Sequence, residues 1–517
     1  MSSAASQKQI YLSRITQSPL GYLVSLAAGA LVPLSFAPYN IWPAAILSIA
    51  VLCALIQNQN PKRCFFLASM FGFGMFGFGI SWVFVSINVY GNLGGLLAVV
   101  ATFLFIWLVT TAFALPFSIY GLFLRQHHLG LLLGIPALWV LSEWIRTWLF
   151  TGFPWLFLGY GHLQTPLSGW APITGVLGLS FATVLSAALS VYYWQVRQNY
   201  KRFSIAALLI ASLWAIGFVL QTVQWTKNYR EPVSVGLAQG NIPQEKKWAL
   251  SFRQETLSRY YGMTQQLWGH DWIIWPEAAI PMLYNDPAAK PVIESLQVEA
   301  AKNNAGLITG ILYDSPTLSQ AANELVVFNS IIGLGAGSGS YYKQRLVPFG
   351  EYRPLEKWTG KIFDLFNMPE SITKGSSEQR GIQIKDAMLA PSICYEIVYP
   401  DLVARGARDA HALITISNDA WFGSSIGPLQ HMEIAQMRAL ETRRYLIRST
   451  NNGVSALVDD KGNILKKTEQ FVMQTLSGEI ELRQGMTPFM RFGSEPIVFL
   501  CLVIVGFIGW QGRSTRK

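Results

Sequence analysis

Between Cys64 and Leu124 the chain carries no Asp, Glu, Lys or Arg. A water-soluble protein of this size needs polar faces throughout, so such a gap excludes a wholly soluble fold. Charge is scarce overall, at 13% of residues against 51% hydrophobic, which is the balance of a membrane protein. Cysteine is nearly missing from the polar portion. Cys53, Cys64 and Cys501 lie in or beside apolar segments, which leaves Cys394 alone there and excludes a disulfide framework around it. A lone thiol facing an oxidising compartment invites a chemical use. Histidine is absent in the patterns that hold metal. His270, His411 and His431 are the histidines of the polar portion, and none has ligand spacing to a partner, which disfavours zinc hydrolysis. The net charge of +10 comes without an aromatic-interleaved basic motif, so no nucleic-acid partner is expected.

What is present first is a series of apolar runs. A helix needs about 20 apolar residues to cross the hydrocarbon core of a bilayer. Segments at 19–37, 41–57, 64–88, 95–124, 129–149, 172–196, 203–223 and 496–511 meet or approach that length. Eight spans are expected, the second short and the fourth long, with Pro116 inside it. Placing the N-terminus in the cytoplasm puts Lys8 and Arg14, Lys62 and Arg63, Arg125, then Arg197, Lys201 and Arg202, and finally Arg513, Arg516 and Lys517 all inside. The short outside loops around 38–40, 89–94 and 150–171 hold no Lys or Arg, as the positive-inside rule requires. The first segment ends in SFAPYNIWP without a small-residue cleavage pattern, and reads as an uncleaved anchor rather than a signal peptide. The expected organisation is a membrane domain at 1–225 with seven spans, an outside catalytic domain at 226–490, and a last span with a cytoplasmic tail at 491–517. Glu143 and Arg146, three apart inside the fifth span, can pair on one helix face. The other reading is contact with a lipid headgroup.

The polar portion alternates strand-like runs with amphipathic stretches, the pattern of an α/β domain with helices covering sheets. In order these are VSVGLAQGNI, 249–268, WIIWPE, 288–304, GLITGILY, VVFNSIIGLG, YYKQRLVPF, MLAPSICYEI, 400–409, ALITISND, 428–445, STNNGVSALVDD and GEIEL. Glu277, Asn329, Cys394 and Asn418 with Asp419 read as polar residues ending strands, grouped toward one site. GLGAGSGS at 333–340 fails the spacing of a nucleotide-binding loop and reads as a hairpin.

Glu277, Lys343 and Cys394 form a chemically coherent set. A thiol attacking an acyl carbonyl needs a base, and a carboxylate shielded from water can serve. A neighbouring ammonium stabilises both the thiolate and the oxyanion of the tetrahedral state. Taken singly, each has a plainer reading: an inert core cysteine, a strand-capping glutamate, a solvated lysine. Their surroundings decide otherwise. WPEAAIP, YKQRLVPFGEY, ICYE and SNDAWFG, in this order, resemble the Glu-Lys-Cys constellation of the carbon-nitrogen hydrolase (nitrilase) superfamily. Together with FAPYNIWP at 36–43, GFPWLFLGYG at 152–161, QGNIPQEKKW at 239–248 and MRALETRRYLIRSTNNG at 437–453, almost the whole chain resembles the apolipoprotein N-acyltransferase family, with most variation expected in the N-terminal extension and at 355–385.

That resemblance implies a multi-pass helical membrane domain joined to a periplasmic αββα sandwich on the bacterial inner membrane, with no metal and no cofactor. It implies ping-pong transfer of a fatty acyl chain from a phospholipid of the phosphatidylethanolamine type to the α-amino group of the N-terminal diacylglyceryl-cysteine of an apolipoprotein. Its partners are then the phospholipid donor, the apolipoprotein acceptor and the bilayer. Glu277 becomes the general base, Lys343 the oxyanion-stabilising cation and Cys394 the nucleophile that carries the acyl group as a thioester. Glu351 resembles a second acid that orients Lys343, and Trp248 and Asn329 resemble positions near substrate. Trp248 reads equally as an interfacial anchor. The backbone N–H of Tyr395 is a candidate oxyanion donor, and Glu396 a candidate partner for a nearby cation. WTGKIFDLFNMP at 358–369 reads as a lid or membrane-touching arm, or as an amphipathic helix on the core. Two rivals remain: a membrane-tethered amidase with water as acceptor, and a transporter with a regulatory soluble domain. The latter expects ionisable residues along several spans, which are missing apart from Glu143 and Arg146.

Overall fold

The computed structural model describes residues 17–91, 94–353 and 372–514. Among these the chain forms two compact units, one within 1–84, 95–223 and 494–517, the other within 85–94 and 224–493. The stretch WTGKIFDLFNMP, expected as a lid or surface helix, lies outside the described residues.

The first unit is helical. Among the described residues four helices have the length and apolarity to cross a membrane: Gly95–Leu124, Pro166–Gln195, Tyr200–Leu220 and Glu495–Gly512. A fifth results if Pro61–Gly79 and Val83–Tyr90, separated by a bend, form one span. The apolar helices Leu20–Ser35, Pro43–Ile56 and Gly130–Ile145 are shorter. The expected eight spans thus meet four or five helices of spanning length. Proline is one reason: Pro33 lies in the 3-10 turn Val32–Ser35 that follows helix Leu20–Leu31, and Pro43 opens the next helix. Large apolar side chains such as Leu96, Leu208 and Phe218 stand exposed, which water penalises and lipid does not. Helix Leu20–Leu31 approaches helix Pro61–Gly79 so closely that a Cβ on Gly29 would collide with the carbonyl oxygen of Phe71. Small residues permit this backbone contact, the usual basis of helix packing in lipid.

Glu143 and Arg146 are both buried, but among the described residues no ion pair joins them. Glu143 Oε1 accepts from Trp139 Nε1 and the Leu158 N–H, each at 3.0 Å. Arg146 Nη1 donates to Trp155 O at 2.8 Å, and its guanidinium lies 5.1 and 5.0 Å from the ring centres of Phe76 and Phe157. The expected pair is two groups with separate partners, and Glu143 Oε2 and Arg146 Nε and Nη2 stay buried without a hydrogen bond among the described residues.

The second unit contains sixteen strands among its described residues. A six-strand path runs β15 (Gln474–Ile480), β2 (Val233–Gln239), β3 (Trp272–Ile274), β5 (Gly306–Asp314), β6 (Val327–Gly335), β8 (Ser340–Tyr342), with β4 (Ile280–Leu283) paired to β5. The other sheet runs β14 (Ile464–Lys467), β13 (Ala456–Val458), β12 (Leu446–Thr450), β11 (Ala412–Ser417), β10 (Ala387–Ile393), β9 (Ile382–Ile384), β7 (Gly337–Ser338). β1 (Lys227–Asn228) and β16 (Arg483–Gln484) form a separate pair. Strands β2, β3 and β5 are parallel, as are β10, β11 and β12. Parallel neighbours need crossovers, supplied by helices Arg253–Gln265, Ala289–Lys302, Pro400–Gly406 and Gly427–Thr442.

Adjacent residues show how the layers stack. Ile274, Ile308 and Ile331 join Leu389, Ile393, Ile414 and Ile447 in one buried cluster between the sheets. Their neighbours Ile273, Leu307 and Ile332 pack instead with Leu257 and Leu296 of the covering helices. This is the two-residue period of a strand buried on both faces. The segment 333–340 runs from the end of β6 through β7, which pairs with β9 of the other sheet, to the start of β8; β6 and β8 pair antiparallel as a hairpin around it.

Candidate active site

Glu277 follows β3 after Trp275 and Pro276, Cys394 follows β10 directly, and Asp419 stands two residues past β11. All three sit at the carboxyl ends of parallel strands, where open α/β sheets collect functional groups. Lys343 is the first residue after β8. Asn329, expected at a strand end, is the third residue of β6, and its backbone carbonyl accepts from the Lys343 N–H at 2.9 Å. The strand expected through YYKQRLVPF stops at Tyr342, because the chain turns there to meet Glu396.

The cluster is built on charge. Lys343 is buried, with Nζ 2.8 Å from Glu351 Oε1 and 3.8 Å from Glu277 Oε1. Asn329 Nδ2 bridges the two carboxylates, donating to Glu277 Oε1 at 2.7 Å and to Glu351 Oε1 at 3.0 Å. Glu351 Oε2 also accepts from the Val347 N–H at 2.9 Å. Burial works against the Lys343 charge, but Glu351 and then Glu277 outweigh it and hold the ammonium well above its ordinary range. Glu277 lies close against β5, where a Cβ on Gly310 would come within 2.8 Å of Glu277 Cα. Glycine at 310 lets the carboxylate-bearing turn pack there.

Cys394 has φ 52°, in the left-handed region that β-carbon sterics disfavour. Its thiol is pushed up to about 12 by burial and by the Glu277 charge, against the opposing pull of Lys343. It is therefore protonated at neutral pH and needs a base to become a nucleophile. Glu396 ties the two halves of the site together. Its carboxylate accepts from Tyr341 Oη at 3.0 and 3.1 Å, from the Gln344 and Arg345 N–H groups at 2.6 and 3.1 Å, and from the Ile393 N–H at 2.8 Å. The partner expected for Glu396 was a cation; the structure supplies main-chain donors and a phenol. Burial pushes this carboxyl up to about 7 against those donors.

Tyr395 is partly buried, with its ring 5.5 Å edge-on from that of Tyr399. Trp248 is 47% exposed and outside the hydrogen-bonded cluster. Its neighbour Lys247 was missed by sequence reasoning. It is buried, and Nζ donates to the Glu277 carbonyl at 2.9 Å. Burial lowers its ammonium to about 8, with Glu277 and Cys394 resisting. Asp419, expected at a strand end near the site, is joined there by His431 and Arg448, whose part sequence reasoning missed. Asp419 accepts from Arg448 Nη2 at 2.8 Å and Ser417 Oγ at 2.6 Å, and faces His431 Nδ1 at 3.1 Å. Burial alone would raise the Asp419 carboxyl, but the Arg448 guanidinium beside it holds it well below the usual range.

Residues 28–189 match the family model described as apolipoprotein N-acyltransferase N-terminal domain, and residues 234–485 match the model described as carbon-nitrogen hydrolase. The apolipoprotein N-acyltransferase of Pseudomonas putida is 39% identical over 96% of this chain and 98% of the relative. The chain belongs to the apolipoprotein N-acyltransferase family. The Pseudomonas aeruginosa relative is 40% identical over 96% of this chain and 97% of its own, and that of Coxiella burnetii 38% over 93% and 98%. A solved nitrilase-superfamily structure from Saccharomyces cerevisiae is 17% identical, covers 50% of this chain and 92% of its own, and gives a TM-score of 0.38. For this family member the signal that could have found Lys247 was weak, because Lys246 beside it is chemically identical in sequence.

Proposed function

We propose that the protein is an apolipoprotein N-acyltransferase, with Glu277, Lys343 and Cys394 as base, cation and nucleophile. The donor is a phospholipid of the phosphatidylethanolamine type, and the acceptor is the α-amino group of a diacylglyceryl-cysteine. The observation that carries the reading is the hydrogen-bonded cluster of buried Glu277, Asn329 and Lys343 with partly buried Glu351, in a chain that matches an apolipoprotein N-acyltransferase N-terminal domain and a carbon-nitrogen hydrolase domain.

A neutral thiol cannot attack unaided, so Glu277 takes the Cys394 S–H proton as sulfur adds to the donor's ester carbonyl. The negative oxygen formed is met by Lys343, which Glu351 keeps charged, and by the Tyr395 N–H. The C–O bond then breaks, Glu277 returns the proton to the glyceryl oxygen, and lysophospholipid departs. In the second half-reaction the acceptor nitrogen adds to the thioester and loses a proton to Glu277. The C–S bond breaks, and Cys394 recovers the proton as the amide leaves. Removing an acyl chain from the bilayer costs about 0.8 kcal/mol per CH₂, so the thiol must meet both lipids at the membrane surface. The proposed setting is an inner-membrane protein with eight spans, both termini cytoplasmic, a membrane domain at 1–225, the catalytic domain at 226–490 in the periplasm and a last span within 491–517.

Intact-mass measurement after incubation with phospholipid alone tests the reading. The expected result is a gain of one acyl group, lost in Cys394→Ala and discharged by a lipopeptide acceptor as N-acyl peptide. Release as free acid only, with acceptor present, would make the protein a hydrolase.

A further inference from the structure

Behind the nucleophile turn lies a charged group that the proposed acyl transfer does not use. Asp419, His431 and Arg448 are each at least 99% inaccessible. His431 Nε2 lies 3.2 Å from the backbone carbonyl oxygen of Cys394. A carbonyl only accepts, so Nε2 carries a proton. The opposite ring nitrogen, Nδ1, is 3.0 Å from Arg448 Nη2 and 3.1 Å from Asp419 Oδ1, while Arg448 Nη2 also reaches Asp419 Oδ2 at 2.8 Å. The ring is fixed from both ends. Burial and Arg448 lower its basicity against the pull of Asp419, which favours a neutral imidazole bearing its proton on Nε2.

Cys394 needs such a hold, because left-handed backbone at a non-glycine residue persists only where the surroundings over-determine it. The peptide joining Cys394 to Tyr395 is planar, and in a trans unit its C=O and N–H point in opposite directions. Whatever fixes the Cys394 carbonyl therefore also sets the direction of the Tyr395 N–H. We propose that His431 is a positioning residue, which by holding the Cys394 carbonyl aims the Tyr395 N–H at the oxyanion of the acyl-transfer intermediate. The assignment rests on the acyl-thioester reading above. Asp419 and Arg448 serve it by preventing the imidazole from turning.

Two readouts on full-length protein separate this role from general support of the fold. A p-nitrophenyl ester burst reports acylation through an oxyanion, whereas alkylation of Cys394 by iodoacetamide passes through none. His431→Leu is expected to slow the burst about 100-fold and to leave alkylation at the wild-type rate. His431→Gln, whose amide N–H can reach the same carbonyl, is expected to recover the burst to within about tenfold of wild type. A wild-type burst in His431→Leu overturns the proposal, as does failure of His431→Gln to recover it, or loss of alkylation in parallel with the burst. If the wild type bursts with ester but takes no acyl group from phospholipid, the acyl-transfer reading fails while the His431 comparison stands. Absence of a burst in the wild type overturns both.

Discussion

Glu277 and Glu396 are the same residue type, both buried at the ends of strands within one domain, yet their surroundings differ in kind. Glu396 accepts from four donors, three of them main-chain N–H groups. Glu277 has one close donor, Asn329, and the Lys343 ammonium at 3.8 Å, and among the described residues nothing hydrogen bonds to its Oε2. A carboxylate with its lone pairs committed holds loops in place; one with an oxygen uncommitted has room for a proton in transit. Asp419 belongs with Glu396 in this respect, since Arg448 and Ser417 occupy its oxygens. The difference teaches that the proposed base stands out by what its surroundings leave undone.

That contrast makes predictions of graded size. Cys394→Ala is expected to abolish the acyl adduct and lower transfer by about 10⁴-fold or more, measured by mass and by lipopeptide turnover. Glu277→Gln should lower transfer about 10³-fold while the thermal midpoint stays at the wild-type value. If the midpoint falls as well, Glu277 is a brace too and the distinction collapses. The thiol supplies a pH test. Pushed up to about 12, it is protonated throughout the working range and its thiolate fraction grows with pH. Alkylation of Cys394 should therefore rise about tenfold per pH unit, without levelling off, between about pH 7 and 10. Levelling off above about pH 9 would mark an ordinary thiol. Glu396→Ala leaves three N–H groups without an acceptor and should destabilise the domain by about 3 kcal/mol, read as a lowered midpoint. The smallest effect is expected at Glu143→Gln, below about 1 kcal/mol, since its carbonyl keeps the Trp139 and Leu158 donors.

Apolar runs made much of the strand-bearing unit legible in the sequence. VSVGLAQ, GLITGILY and ALITIS are strands because both their faces are buried. Short strands escaped: β9 and β14 have three and four residues, too few for a period to show. STNNGVSALVDD reads as one run but breaks into the end of β12 and the whole of β13, with the Asn451 side chain turned to the Ile242 carbonyl. Sequence spacing drew attention to Glu277, Lys343 and Cys394, and local motifs to Glu351, because each lies in a distinctive string. Lys247 and the Asp419, His431 and Arg448 group were not legible as partners. Their meaning comes from contacts spanning tens of residues, such as the 17 and 29 positions that separate Arg448 from His431 and Asp419. In the membrane unit, hydropathy located the apolar helices but not their usable length, which the prolines at 33 and 43 curtail.

The Glu396 knot bears on how this protein can change over generations. Three of its four donors belong to the main chain, at Gln344, Arg345 and Ile393. Side-chain substitution leaves a main-chain N–H where it was, with proline the exception. A lineage that lost the carboxylate at 396 therefore has no simple second-site suppressor, because the unmet partners are not encoded by any one codon. Asn329 is held by side chains, those of Glu277 and Glu351; the acceptor at 396 is called for by the main chain itself, for as long as the two loops it joins keep their shape.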